Sequence, residues 1–468
     1  MNRSLIIPVE NQVRELDAKL LLACIAARHE FSVIIGSRLE ISFRIGAFPP
    51  SIYLAKSMTA RSLKMFRIMR QLGHVIAGWD EEALIHPLAE TYFSRRLFPE
   101  AITYVSHLFA WGEENAELWR QYPSLPSDIP IHLTGNPRGD MLRPEMQPFF
   151  AEEVEQLRQK YGDFLLINTN FSFVNAFYPD QNLFQPVKNP GEKPRFGRAA
   201  VGMERYFAEG LRDHKQAVFE SFQDMIPRLE QEFPELTIIV RPHPVEKPSI
   251  YHQLAAGCQR VKVINEGNVI PWLLASRAVI HNGCTTGVEA YIMRVPALSY
   301  QEKGDPGYDN GFYRLPNALS HQCFDFAGLR ETISSILAGE TGAAGGRERQ
   351  ELMAGYLASQ DGLLASQRIV EVLGKITQES ANKPVPSPFA RFMGRSKVAR
   401  RRLAKYIKSF QPNSKYRSEF QRYRYPGLSI EVLRQKVKRL QVVLGDQQEL
   451  DIQKLGNHIF RLTSDRPS

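Results

Sequence analysis

Two short clusters in the second half of the chain carry the residue types that handle an anionic ligand. The first, Arg241-Pro242-His243-Pro244, directly follows the apolar run LTIIV. Its prolines stiffen a turn, and a guanidinium beside an imidazole at a strand end can bind a phosphate and stabilise the charge of a departing nucleotide. The second runs from His281 to Ala290, after AVI and before a helical segment through YIM. Here Gly283 and Gly287 allow close backbone approach, while the hydroxyls of Thr285 and Thr286 and the free N–H groups of a helix N-terminus form a phosphate cradle. Glu289, in the first helical turn, either reaches a ribose hydroxyl or complements the helix dipole. Each cluster also has a plainer reading, His243 as a strand cap and the threonine turn as a helix cap. Their separation by one βαβ unit favours a shared site.

Other candidates sit at further strand ends. Asn168, Thr169, Asn170 and Ser172 follow FLLI, where they either hydrogen-bond a donor molecule or shape a turn. In the first half, Glu10 ends one strand, Arg14, Glu15 and Asp17 open the next helix, and Glu81 with Glu82 ends HVIAGWDEE. Glu10, Glu15 and Glu81 are the candidates for a catalytic base or acceptor contact, against the alternative that acids simply favour helix starts. In Gly135-Asn136-Pro137-Arg138-Gly139-Asp140 the glycines and the proline read as hinge elements, with Arg138 and Asp140 as an interdomain ion pair.

The elements that position these residues alternate. SLIIPVE, FSVIIGS, SIYLAKS, HVIAGWDEE, AITYVSHLFAWG and IPIHLTGNP read as strands between helical segments such as RELDAKLLLACIAARH. A second alternation begins at DFLLINTN and continues through LTIIV, VKVIN, AVIHNG and VPALSY. Strand and helix in turn imply mostly parallel sheets covered on both faces. In open sheets of this kind ligands bind beyond the carboxyl ends of the strands. We expect a Rossmann-like acceptor domain over 1–150, a Rossmann-like donor domain over 151–383, and a basic, mainly helical extension over 384–468. The polar, Pro-containing stretch 177–198 is long for a compact domain and reads as a lid.

The bulk composition suits this plan. The chain has 468 residues, 43% hydrophobic and 23% charged, enough for two globular cores. Cys24, Cys258, Cys284 and Cys323 lie far apart with no C-x-x-C pair, so neither a zinc cage nor a disulfide framework is indicated. No cofactor and no metal site are expected. The formal charge of +9 is concentrated between Arg391 and Arg424, where twelve cations, Lys415 among them, face the single acid Glu419. Aromatic residues interleave with those cations. That pattern suits peripheral docking on an anionic membrane, with packing on the chain's own surface or nucleic-acid contact as alternatives; the partner expected is lipid, not nucleic acid. No run is long and apolar enough to span a bilayer and the start is not a secretory signal, so the expected location is cytoplasmic, at the inner face of the inner membrane.

With RELDAKLLLA near its start, RPHP in the second half and NGCTTGVEA after it, the sequence resembles the bacterial surface carbohydrate biosynthesis protein family over roughly residues 5–430. The resemblance implies a GT-B glycosyltransferase fold, two Rossmann-like domains facing a cleft. Its second domain is similar to that of β-Kdo transferases and bacterial sialyltransferases, which use CMP-activated acidic sugars. On that likeness His243 and Pro244 match a phosphate-contacting HP pair, and Thr285 and Thr286 match a hydroxyl pair. The resemblance implies metal-independent transfer from a nucleotide-sugar, CMP favoured, to a lipid-linked or oligosaccharide acceptor of lipopolysaccharide or capsule assembly. Asp80, Glu81 and Glu82 lack the glycine of the sialyltransferase base motif, which leaves the base unassigned. The rival readings are a nucleotide-sugar epimerase-like enzyme and a non-catalytic nucleotide- or glycan-binding component of an export complex.

Overall fold

The computed structural model describes residues 3–464 apart from 188, 190, 309, 310, 382, 383, 412, 413 and 415; the Lys415 of the basic stretch therefore lies outside the described residues. The chain forms two compact units. The first contains Met1–Phe149 and Glu351–Ser468, and the second Phe150–Gln350.

The first unit is built on an eight-stranded sheet in the order β13-β14-β2-β1-β3-β4-β5-β6. Its strands are β1 (Ser4–Val9), β2 (Ser32–Ser37), β3 (Ile52–Ala55), β4 (Val75–Gly78), β5 (His107–Ala110), β6 (Ile131–Leu133), β13 (Leu450–Gly456) and β14 (Ile459–Ser464). The six N-terminal strands run parallel. Leu5, Ile6, Ile7, Val33, Ile34 and Ile35 are all buried, as expected of strands covered on both faces. The helix Gln12–Arg28 is buried without a break from Glu15 to Ala27, although its sequence reads as amphipathic. The cause lies at the far end of the chain. Helices Ala365–Ala381 and Ile430–Val443 pack on it, Lys436 reaches Asp17 at 2.8 Å, and β14 pairs antiparallel with β2.

This return differs from the expected plan. Residues 351–383 belong with the first unit, and the segment 384–468 contributes two strands to its sheet as well as helices. The anchor is Asp140. Its Oδ1 accepts the Ala365 N–H at 2.7 Å, and its Oδ2 accepts the Ser366 N–H and hydroxyl at 2.8 and 2.7 Å. A buried carboxylate thus satisfies the free N–H groups of a helix far away in sequence. Arg138, the partner expected for Asp140, lies instead over the Trp111 ring and donates to the Glu81 carbonyl.

The second unit holds a wholly parallel six-stranded sheet in the order β12-β11-β10-β7-β8-β9. Its strands are β7 (Phe164–Asn168), β8 (Thr237–Arg241), β9 (Val261–Val263), β10 (Ala278–His281), β11 (Ala297–Tyr300) and β12 (His321–Cys323). The chain builds outward from β7 through β8 to β9, then returns to lay β10 against the other side of β7. The order therefore reverses between β7 and β10. A core of Leu165, Ile167, Phe222, Met225, Ile238, Val240 and Ile280 packs the sheet against the helix Arg205–Glu232.

The described residues of the stretch 177–198 pack into a small fold of their own. Phe184 bridges Phe196, and Leu183, Phe184, Ala200, Ala208 and Leu211 form a small apolar core of their own. It is tied to the loop after β8, because the Phe177 N–H donates to the Val245 carbonyl and Ala176 bridges Glu246.

Replacing Asp140 with Ala should strip three hydrogen bonds from a buried helix start and lower stability by about 2 to 4 kcal/mol. Urea denaturation checks this, and an unchanged midpoint would remove the capping role.

Candidate functional site

The loops after β7, β8 and β10 leave the same edge of the second sheet, since parallel strands deliver their carboxyl ends together. β7 lies between the other two. Arg241, the last residue of β8, is buried at 6% exposure and does not point a charged group outward. Its guanidinium donates to the carbonyls of Glu266 (2.9 Å) and Gly267 (3.3 Å) and lies 4.8 Å from the centre of the Trp272 ring. Burial pulls its pKa down to about 10. This corrects the expectation of a phosphate-binding Arg241: the side chain is consumed in holding the loop after β9.

His243 is half-buried and Pro244 exposed at the same loop. The Val245 N–H donates to His243 Nδ1 at 3.3 Å, which selects the tautomer with the proton on Nε2. The turn is held from beneath by Glu246, buried at 2% exposure. Its carboxylate accepts from the His243 N–H (3.1 Å), the Thr169 hydroxyl (2.9 Å) and the Tyr251 hydroxyl (2.7 Å). Burial raises its pKa, with these donors working in the opposite sense. One carboxylate therefore joins the end of β7 to the turn after β8. The sequence reading missed Glu246 and Tyr251; the only available signal was an acid three residues beyond the histidine, at the closing position of a turn.

At the end of β10, His281 is completely buried. Its Nε2 lies 2.8 Å from Ser320 Oγ, whose own hydrogen goes to the Pro316 carbonyl, so Nε2 is the donor. Its Nδ1 accepts the Gly283 N–H at 3.0 Å. Both ring nitrogens are thus committed in the neutral form, and burial lowers the pKa to about 4. The imidazole is the platform for the next turn. Gly283 adopts φ +84°, and a Cβ there would lie 2.5 Å from the Tyr313 ring; a Cβ on Gly287 would lie 2.4 Å from His281 Nε2. Small residues are required here by contact within the protein, before any ligand is considered.

The helix Thr285–Ile292 begins at this turn without a side-chain cap. The Gly287 N–H donates back to the Cys284 carbonyl at 3.0 Å, and the positive end of the helix dipole at this start favours an anion. Thr285 and Thr286 are half-buried, with Thr286 Oγ1 directed to Cys284 Sγ at 2.6 Å. Glu289 is buried at 6% exposure, one turn further on. Lys215, from the long helix, lies 4.0 Å from the centre of the Tyr313 ring and so brings a cation near Gly283 that no local pattern indicated.

Asn282 joins this loop to the end of β7 by donating Nδ2 to the Asn170 carbonyl at 3.2 Å. Asn168, paired in register with His281, is buried at 5% exposure. Among the described residues, Asn168 Nδ2 and Asn282 Oδ1 are buried with no hydrogen-bond partner. A donor and an acceptor are therefore both unsatisfied where the strand order reverses, a cost that ligand or water would relieve. Asn170 and Ser172 are half-buried on the same loop. The sequence candidates at 168–172, 243–244 and 283–289 thus occupy one sheet edge, with Arg241 the exception.

The acids of the first unit have different surroundings. Glu15 and Glu81 are buried on either side of the Lys19 ammonium, at 2.7 and 2.8 Å, and Lys56 lies 2.7 Å from the other Glu15 oxygen. Burial opposes ionisation of Glu15, but Lys19 and Lys56 outweigh it and hold its pKa well below the usual range. Glu10 is contacted by Lys56 (2.9 Å), Arg38 (2.8 Å) and Arg424 (2.6 Å). Burial raises its pKa, yet the three cations drive it far down. These contacts correct the reading of Glu10 and Glu15 as catalytic bases, because a carboxylate held by two or three cations has little affinity for an acceptor's proton. Glu81, buried at 3% exposure against Lys19, is likewise placed as an ion-pair partner.

No protein-family model matches the chain, and no curated protein matches it in sequence. Among solved structures it is similar to the wall teichoic acid polymerase TagF soaked with CDPG, at 12% identity and a TM-score of 0.50 over 82% of this chain and 90% of that one. The Methanocaldococcus jannaschii UDP-GlcNAc 2-epimerase in complex with UDP-GlcNAc and UDP matches at 12% identity and TM-score 0.46, over 80% and 99% of the two chains. A further match is the S. aureus MnaA–UDP co-structure, at 12% identity and TM-score 0.45, over 83% and 100%. The likeness to the polymerase is one of fold, and the fold class is α/β of the GT-B kind, with two Rossmann-like units.

Two outcomes follow from the neutral imidazole at 281. Its folded pKa lies below the unfolded value of 6.5, so the stability it contributes is present above pH 6.5 and is lost as pH falls toward about 4. Urea midpoints of the second unit should fall between pH 7 and pH 5, and a flat profile would contradict a buried neutral ring. Gly287→Ala should cost about 1 to 3 kcal/mol by forcing the helix start off His281, read as a lowered thermal midpoint together with weaker nucleotide binding.

Proposed function

We propose that the chain is a glycosyltransferase of surface-polysaccharide assembly, taking a sugar from a nucleotide-activated donor bound at the carboxyl edge of the second sheet. The observation that carries this reading is the unsatisfied pair Asn168 Nδ2 and Asn282 Oδ1 beside the uncapped helix start at Thr285. Open parallel sheets bind nucleotides at such reversal points.

In this reading the N–H groups and hydroxyls of Thr285 and Thr286 take the donor phosphate, with Gly283 and Gly287 permitting the close approach. His243 offers its Nε2 proton to the phosphate oxygen that departs. As the bond from the anomeric carbon to that oxygen breaks, the electron pair passes to phosphate, and an acceptor hydroxyl forms the new bond and gives up its proton to solvent. The helix dipole and His243 stabilise the charge that develops on phosphate, which makes transfer metal-independent. Asn168, Asn170 and Ser172 bind the remainder of the donor, and Pro244 shapes the turn. Glu289 serves the helix start from its buried position. Glu10, Glu15 and Glu81 keep their charge-pairing role, and no base for the acceptor is assigned.

The likeness of the HP and threonine pairs to CMP-sugar enzymes supports a cytidine nucleotide, with Kdo or another acidic sugar as the group transferred. The acceptor proposed is lipid-linked or an oligosaccharide. Thermal-shift titration with CMP, CDP, UDP and GDP tests the site: a rise with cytidine nucleotides supports it, a rise confined to UDP replaces the donor, and no rise with any of them sinks it. A folded His243→Ala protein should lose on the order of 10² to 10³ in turnover. Undiminished transfer removes His243 from the mechanism, and release of free epimerised donor sugar indicates an epimerase.

A further inference from the structure

The helix Pro388–Ser409 is fastened to the first unit by one face. Gly394 allows close approach to Leu72, Val398 and Lys405 are buried, and the helix packs on Ala60–Leu72 and Arg38–Arg44. Arg395 donates to the Gly46 carbonyl at 3.2 Å, Lys397 to Gln71 Oε1 at 3.1 Å and Lys405 to Ser42 Oγ at 3.1 Å. The opposite face is apolar and bare. Phe389 is 72% exposed, Phe392 64%, Leu403 61%, Tyr406 63% and Ile407 57%, and Phe410, one residue past the helix end, is 71% exposed. At about 100° per residue these six fall within an arc of roughly 100°, turned directly away from Gly394, Val398 and Lys405. A single exposed apolar residue needs no explanation, but six on one stripe do.

The rim of the stripe is cationic. Arg395 and Arg402 border one side and Arg400 the other, and the helix contains eight Lys and Arg residues and no Asp or Glu. We propose that this face docks on an anionic lipid surface, with the helix lying in the plane of the interface, its stripe among the acyl chains and its flanking cations at the headgroups. Charge selects this occupant. A second copy of the same face would set its cationic rim against another of the same sign, and a double-helical nucleic acid, its bases stacked inside, offers nothing to the apolar centre. No helix among the described residues is long and apolar enough to cross a membrane, so the contact is one of lying on the surface. Further along the basic segment, Arg424 holds Glu10, and Tyr425 is buried against His458. The interfacial element assigned is this one helix, independently of the transferase reading.

The full chain should sediment with vesicles of phosphatidylglycerol and phosphatidylcholine, much less with phosphatidylcholine alone, and less with the anionic vesicles in 0.5 M salt than in 0.1 M. Leu403→Glu with Phe410→Glu should lower anionic-vesicle binding at least tenfold while leaving the thermal midpoint unchanged, because both side chains are exposed. Arg400→Ala with Arg402→Ala should lower it in the same sense through the rim alone. Equal sedimentation of both double variants and the parent overturns the proposal. So does loss of a concentration-dependent dimer in the stripe variant with no vesicle binding by the parent, which would make the face a contact between copies.

Discussion

The reversal of strand order beside β7 is the constraint on which the candidate site depends. Helices that connect β7 to β8 and β8 to β9 cover one side of the sequence of strands, and the return to β10 leaves the loops after β7 and β10 to diverge from adjacent strands. The backbone of one cannot then satisfy the other. Asn168 and Asn282 are the residues caught at that divergence, and each retains a buried polar atom without a partner. The surrounding machinery is comparatively rigid. Glu246 locks the turn after β8 to Thr169, and the neutral His281 ring sets the turn after β10 through contacts to both of its nitrogens. Pre-organised donors around an unsatisfied centre are what electrostatic binding of a phosphate requires, since little reorganisation remains when the ligand arrives.

The first unit also reverses its strand order, with an opposite electrostatic outcome. Its strand order reverses between β1 and β3, and the residues that follow those strands, Glu10 and Lys56, are paired with each other at 2.9 Å. Arg38 and Arg424 complete the neutralisation of Glu10, and Lys19 is shared between Glu15 and Glu81, with Lys56 also on Glu15. At the corresponding edge of the first unit the carboxylates are met by the chain's own cations. Breaking any one of the buried pairs would leave a stranded charge, so the network is better understood as a constraint on local geometry than as a source of proton transfer.

The alternation of apolar runs and helical segments made the two α/β units legible from sequence, because parallel strands buried on both faces are continuous in apolar residues and carry their polar residues at their ends. The same rule located the loops at 168–172, 243–244 and 283–289. It could not reveal that Arg241 turns inward, since that depends on carbonyls at 266 and 267 and on Trp272, more than twenty residues away. Nor could it reveal the buried acids of the first unit as ion-pair partners, because Lys56 and Arg424 reach Glu10 only through tertiary structure. The membership of 351–383 was hidden for a related reason: Asp140 caps a helix that begins 225 residues later, and no local pattern records such a contact.

The C-terminal hairpin of β13 and β14 has a consequence for biosynthesis. All of the second unit's chain is contiguous and leaves the ribosome before the segment that covers β2 has been made. The earlier-translated sheet must wait with an unpaired edge and an uncovered helix while its later-translated neighbour can already close its core. Nascent chains of this protein therefore pass through a stage at which the middle of the polypeptide is complete and its beginning is not, the period of greatest exposure to aberrant strand pairing and to the chaperones that guard against it.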